Sequence, residues 1–149
     1  MSKESIHAHI ETLREELQNM ALDIWAHPEA GFQEGHASTV QKEFLRRLGA
    51  KITSPIDMLD TAFVAEYGEG KPVIHGCGHN LLGTGSVAAF AGLMLTMKEE
   101  GLPGTIRYYG CPAEEIYSGK SFMARAGVFD DLDCCLSWHP SGEDGVGYS

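Results

Sequence analysis

Residues 75–97 read HGCGHNLLGTGSVAAFAGLMLTM, a glycine-spaced run carrying one thiol and two imidazoles that leads directly into a small, apolar stretch. From residue 81 to about 98 the side chains are small and apolar on every side, which suits a helix packed closely on a sheet, and Gly101 closes it. Upstream, residues 62–67 read as a strand that Gly68-Glu69-Gly70 turns into a short strand at 72–74, the pattern of a hairpin. Downstream, a strand over 105–109, a helix over 119–126 and a strand over 133–138 predict a right-handed crossover between parallel strands. Towards the N-terminus, Ile6, Ile10, Leu13, Leu17, Met20 and Ile24 recur every three or four residues and predict one long amphipathic helix ending before His27-Pro28. A second helix is expected over 37–48, with Val40, Phe44 and Leu48 on one face and Gly49 as its stop. The expected fold class is α/β, helices packed on a mostly parallel sheet, with Met94 and Met97 in the core.

Composition narrows the classes of function. The chain has 149 residues, enough for one domain with a single core, and 43% of them are hydrophobic. Eleven Lys and Arg stand against 21 Asp and Glu, a net charge of −10 scattered along the chain, which argues against a nucleic-acid partner. Adjacent Cys134 and Cys135 do not fit a secreted disulfide framework, and with Cys111 they read as packing residues in a reducing cytoplasm. The charged N-terminus has no signal-like apolar core, and no apolar run reaches the roughly 18 residues of a membrane span, so a soluble cytoplasmic protein without a membrane partner is expected. No repeat is visible, so function must come from local motifs.

The predicted strand order puts the residues after 109 and after 138 at the carboxyl ends of nearby parallel strands, where open α/β sheets place their ligands. Those positions carry CPAEE and HP, so Cys77, His79, Glu114, Glu115 and His139 all sit in loops beside element ends. Cys77 and His79 are separated by one glycine, so in an extended loop both project to the same side. A thiolate and a neutral imidazole suit a borderline cation such as zinc, and a carboxylate can fill a further position. Extended, Glu114 and Glu115 would diverge, one towards an ion and one towards substrate. That division suits metal-assisted hydrolysis, in which an ion activates water and a free carboxylate takes its proton. Spacing alone does not say which glutamate does which. Three other readings compete: a buried thiol beside a loop histidine, a Cys77 nucleophile activated by His79, and a structural zinc held by Cys77, His79, Cys111 and His139. The nucleophile lacks an evident orienting Asn or Asp, and the structural zinc leaves both glutamates unexplained. His7, His9 and His36 read as solvated helix residues, His27 as a structural residue bonding near a helix end, and His75 as a loop residue.

The motifs HPEAGFQE (27–34), HGCGHNLLGTG (75–85), GCPAEE (110–115) and WHP (138–140), in this order, resemble the amidohydrolase branch of the aminoacylase and carboxypeptidase G family of metallopeptidases. That branch includes hippurate hydrolase and the auxin-conjugate hydrolases, and Asn80 together with YYGCPAEE looks most like its aminobenzoyl-glutamate members. The resemblance implies two divalent metal ions, zinc or manganese, held by Cys77, His79, Glu115 and His139, with Glu114 as the general base. It implies hydrolysis of the amide bond of an N-acyl amino acid or of an aminobenzoyl-glutamate-like small molecule. Members of the family usually dimerise through a lid domain that follows the HP motif, and they carry an Asp-Ala-Leu-Pro segment between the strand at 72–74 and the Cys-Gly-His motif. Here Ile74 runs straight into His75 and the chain stops at Ser149. Residues 1–149 are therefore expected to be the N-terminal portion of one metallopeptidase catalytic domain, lacking the lid and a last histidine ligand and impaired in activity. The contrasting expectation is a catalytically silent fragment that acts only by association with another chain.

Overall fold

A computed structural model describes residues 2–78 and 80–136, and for 74–78, 80–82, 115 and 116 the backbone alone. The N-terminal apolar stripe folds as two helices instead of the expected one: α1 (Lys3–Thr12) and α2 (Arg14–Ala26). The break falls at Leu13, whose backbone leaves the helical region (φ −101°, ψ 1°) while its side chain stays buried. The bend has a packing cause. It lets α1 lie along the later helix α4 while α2 turns Leu17, Met20 and Ile24 into the main core.

Helix α3 (Gly35–Leu48) ends as expected at Gly49, in the left-handed conformation (φ 113°) that a side chain would disfavour. A short edge strand, β1 (Lys51–Thr53), follows and was not expected. Strand β2 (Phe63–Glu69) and strand β3 (Val73–Gly78) do form, but not as a hairpin. Between them in the sheet lies β4 (Gly104–Gly110), reached through the long helix α4 (Asn80–Glu100). The sheet order is β1-β2-β4-β3-β5, with β5 spanning Cys134–Leu136. The antiparallel pairs are β1 with β2 and β2 with β4; β4 with β3 and β3 with β5 are parallel.

Burial decides against the hairpin. Six of the seven β4 residues are buried, so β4 needs a neighbour on each side, and β2 and β3 supply them. The Gly68-Glu69-Gly70 turn then spans the start of β4: Thr105 donates its backbone N–H to the Pro72 carbonyl (2.9 Å) and its hydroxyl to that of Gly70 (2.9 Å).

The expected crossover from β4 to β5 does join parallel strands, by way of α5 (Glu114–Tyr117) and α6 (Gly119–Arg125), with β3 interposed. On β4, successive side chains alternate between the two faces of the sheet. Tyr108 joins the main core with Phe44, Leu45, Phe90, Met94 and Met97, whereas Tyr109 joins a smaller cluster with Ile56, Ala62 and Met123. Met94 and Met97 are core residues as expected, and Cys111 packs against the smaller cluster. Cys134 and Cys135 are both exposed on the edge strand β5, which corrects their reading as packing residues. No described helix is long and apolar enough to cross a membrane.

Candidate functional site

The carboxyl ends of β3 and β4 lie side by side, with Cys77 opposite Tyr109 and Gly78 opposite Gly110. One residue past Gly110 the chain begins Cys111-Pro112-Ala113-Glu114, so the Cys77 backbone and the two glutamates emerge at the same end of neighbouring parallel strands. The glutamates are not extended as expected. Ala113 adopts a left-handed conformation (φ 51°, ψ 37°) that turns the chain out of the β4 direction and starts the single helical turn α5 at Glu114. A non-glycine residue held there costs about 1–3 kcal/mol and persists only where its surroundings over-determine it.

The loop that carries HPEAGFQE supplies those surroundings. The Glu34 carboxylate accepts the Ala113 backbone N–H (2.7 Å) through Oε1 and the Thr61 hydroxyl (3.2 Å) through Oε2. Gly31 runs so close to Ala113 that a Cβ on it would lie 3.2 Å from the Ala113 Cβ. Phe32 stacks on Tyr117 with ring centroids 5.4 Å apart and meets Phe122 edge-on at 6.0 Å. The same loop starts α3, because the Glu29 carboxylate accepts the backbone N–H groups of His36 (2.8 Å) and Ala37 (2.9 Å). Burial pushes the Glu29 carboxyl up, but the backbone donors and nearby His36 outweigh it and hold it below the usual glutamate range.

Between this loop, α3 and the end of β4 lies a cleft of about 310 Å³ lined by His27, Glu29, Glu34, Gln41, Tyr108 and Glu114, among others. The Tyr108 hydroxyl donates to Gln41 Oε1 (2.9 Å) at its base. Glu114 is 32% exposed, and its Oε1 lies 3.6 Å from Lys120 Nζ. A carboxylate facing a partly dry cleft at the end of a parallel strand has the access that a general base needs.

Of the five residues singled out in the sequence, Glu114 faces the cleft, and Cys77 and Glu115 are placed by backbone at the same end of the sheet. His79 and His139 lie outside the described residues. Sequence reasoning missed Glu29 and Glu34 as individual residues. The available signal was two acidic residues bracketing a Pro- and Gly-containing loop just before a helix that has no capping side chain of its own.

Residues 53–148 match the model of peptidase family M20/M25/M40, and the chain belongs to that family. It is 37% identical to one of the two kinds of chain that make up the p-aminobenzoyl-glutamate hydrolase of Escherichia coli (strain K12), a match covering 92% of this chain and 35% of the relative. It is 31% identical to the human Xaa-Arg dipeptidase, over 91% of this chain and 38% of that protein. Among solved structures, the YxeP protein of Bacillus subtilis, a dinuclear metal-binding peptidase of the M20 family, superposes with a TM-score of 0.73 at 25% identity. That superposition covers 88% of this chain and 44% of YxeP. The chain thus spans between about a third and somewhat under half the length of these relatives. The E. coli match extends over 167 aligned positions, more than the 149 residues of this chain, so the relative holds residues inside the matched region that have no counterpart here.

Proposed function

We propose that this chain is the N-terminal, metal-binding part of a catalytic domain that hydrolyses the amide bond of an N-acyl amino acid or an aminobenzoyl-glutamate-like compound in the cytoplasm. Thiol, imidazole and carboxylate form a donor set that borderline divalent cations accept, and the sheet register that brings Cys77 and the Glu114–Glu115 turn to one end is compatible with a shared site. Cys77, His79, Glu115 and His139 would hold two ions, zinc or manganese, which supply Lewis acidity and a more acidic water. Glu114 takes a proton from the attacking water and returns it to the departing amine. Glu34 and the aromatic contacts of Phe32 keep the Glu114 turn in place, and the cleft beside it receives the amide.

The observation that carries the reading is the position of Glu114: a carboxylate facing a cleft at the carboxyl end of β4, beside the strand that bears Cys77, in a chain of the M20 family. Metal analysis together with an assay on N-acyl amino acids and aminobenzoyl-glutamate tests it. Turnover that falls by about 10²-fold or more in Glu114→Gln, with metal content unchanged, is expected. Wild-type protein that is metal-free and inactive would sink the reading.

A second reading is favoured by the aligned positions that this chain lacks: a silent fragment acting by association with another chain. The E. coli relative is itself named as one subunit of a hydrolase. Under this reading the chain shows no turnover alone and changes the turnover of a partner hydrolase on mixing.

A further inference from the structure

Asp23, His27 and His36 offer one ligand atom each, all within 4.8 Å of one another. None of the three belongs to the set Cys77, His79, Glu114, Glu115 and His139. We infer that they form a separate binding site for a single borderline divalent cation, zinc in the first place, which clips the end of α2 to the start of α3 at the mouth of the cleft.

The site is built from three pinned donors. Asp23 lies on the last turn of α2, and His27, four residues on, is the residue at which that helix ends. His36 is the second residue of α3, and its backbone is fixed by the Glu29 carboxylate. The two oxygens of Asp23 face different rings, Oδ2 to His36 Nε2 at 2.8 Å and Oδ1 to His27 Nδ1 at 3.2 Å. His27 Nδ1 also lies 2.8 Å from the Asp23 carbonyl, the bond near a helix end that its position in the sequence suggested. The two rings are in contact, with centroids 4.5 Å apart and planes inclined at 46°. His36 is therefore not the freely solvated residue its sequence position implied.

Geometry and charge both suit a cation. An ion about 2.0–2.2 Å from each nitrogen or oxygen ligand holds those ligands roughly 3–3.5 Å from one another, and the observed 2.8 and 3.2 Å separations are close to that. The remaining adjustment falls on His27, whose side chain is 58% exposed, so no buried group has to move. Two imidazoles and one carboxylate are the donor chemistry of zinc, nickel or cobalt, in contrast to the all-oxygen shells of calcium and magnesium. The carboxyl end of α2 carries the negative end of the helix dipole, which favours a positive ion there. Three protein donors leave at least one position for water or for an anionic group, and His27 lies on the rim of the cleft that Glu114 also faces.

The test separates this site from the one proposed above. In the full chain carrying Cys77→Ser and His79→Ala, isothermal titration with zinc is expected to show one equivalent bound, and adding Asp23→Asn with His36→Ala to remove it. Cobalt bound in that background should lack the intense thiolate absorption that a Cys77-ligated ion would show. Should the background variant fold poorly by circular dichroism, the wild-type chain serves: His36→Ala should then lower the zinc stoichiometry by one while leaving any cobalt–thiolate band intact. No zinc bound in the folded background variant, or stoichiometry unchanged by His36→Ala, overturns the inference. Either result leaves the Glu114 reading standing, because its own test does not involve these residues.

Discussion

The Glu34 carboxylate reaches across 79 positions of sequence to accept the backbone N–H of Ala113 at 2.7 Å, which ties the loop after α2 to the residue that launches the Glu114 turn. The bond matters because Ala113 is held in a left-handed conformation and its N–H sits in a buried residue. Glu34→Ala leaves that donor unsatisfied, at a cost of about 1–3 kcal/mol. The expected result is a lower urea midpoint together with faster hydrogen exchange at the Ala113 amide, while amides in the centre of β4 keep their relative protection. Unchanged exchange at Ala113 would contradict the role.

Glu29 makes the stability of α3 depend on pH in a definite direction. Its carboxyl is held below the ordinary value near 4.5, chiefly by the backbone donors that overcome the burial effect. The folded chain therefore releases this proton more readily than the unfolded one. Its contribution is fully present above pH ~4.5 and is lost as the pH falls through the lower folded value. Glu29→Gln keeps one acceptor and loses the charge. Denaturation of the two proteins should differ by about 1 kcal/mol at pH 7, a cap-sized effect, and the difference should shrink as the pH drops below about 4.5. A gap that widened on acidification would refute the assignment.

How far the sequence could be read depends on whether a signal was local. The apolar run at 81–98, the glycine stop at Gly49 and the apolar stripe of Leu17, Met20 and Ile24 are local signals, and all three describe elements that form. The pairing of β2 with β3 failed because chain proximity and a Gly-Glu-Gly turn mimic a hairpin, whereas the actual partner of each strand is β4, some thirty residues away and buried on both faces. The bend at Leu13 was invisible for a similar reason: the periodicity continues through it, and only the surface of α4 requires it. At the site, the chemistry of Glu114 was legible from its place after a strand. The contributions of Glu29 and Glu34 were not, since each acts by accepting backbone N–H groups from residues whose approach is a tertiary fact.

Gly92 shows that close contact acting on α1. A Cβ placed there would lie 2.7 Å from Ile10 Cγ1 and 3.1 Å from Ile6 Cγ2, so α4 lacks a side chain where α1 crosses it. α1 has no fully buried residue and can yield. Gly92→Ala gains about 1 kcal/mol of helix propensity and loses a comparable amount to crowding, so its stability should stay within roughly 1 kcal/mol of wild type. Gly92→Leu cannot be accommodated by a small shift. It should detach α1, seen as rapid proteolysis and hydrogen exchange confined to residues 3–12, with the sheet amides still protected. Protection of α1 retained in Gly92→Leu would show that the contact is not needed.

Arg107, on β4 and opposite His75 of β3 in register, ties the centre of the sheet to the segment before β5. Its guanidinium meets Asp131 with two parallel bonds (2.6 and 3.0 Å) and Glu66 of β2 with a third (2.6 Å). The hydrogen bonds to Asp131 lead in raising its pKa further above the usual arginine value, and they hold the Asp131 carboxyl below the usual aspartate range. Only 17% of the Arg107 side chain is exposed, so the geometry is constrained, and a lysine has neither the planar fork nor enough donors to serve both carboxylates. Arg107→Lys should lower stability by about 1–3 kcal/mol and lessen its dependence on acid. The sign follows from the depressed Asp131: the stability it confers is present above the ordinary aspartate value near 3.8 and disappears as the pH falls through the lower folded value. Urea titrations of both proteins at pH 7 and pH 3 measure the effect. They should show a larger loss on acidification for the wild type than for Arg107→Lys, and the opposite order would mean that Arg107 owes its place to packing rather than to these carboxylates.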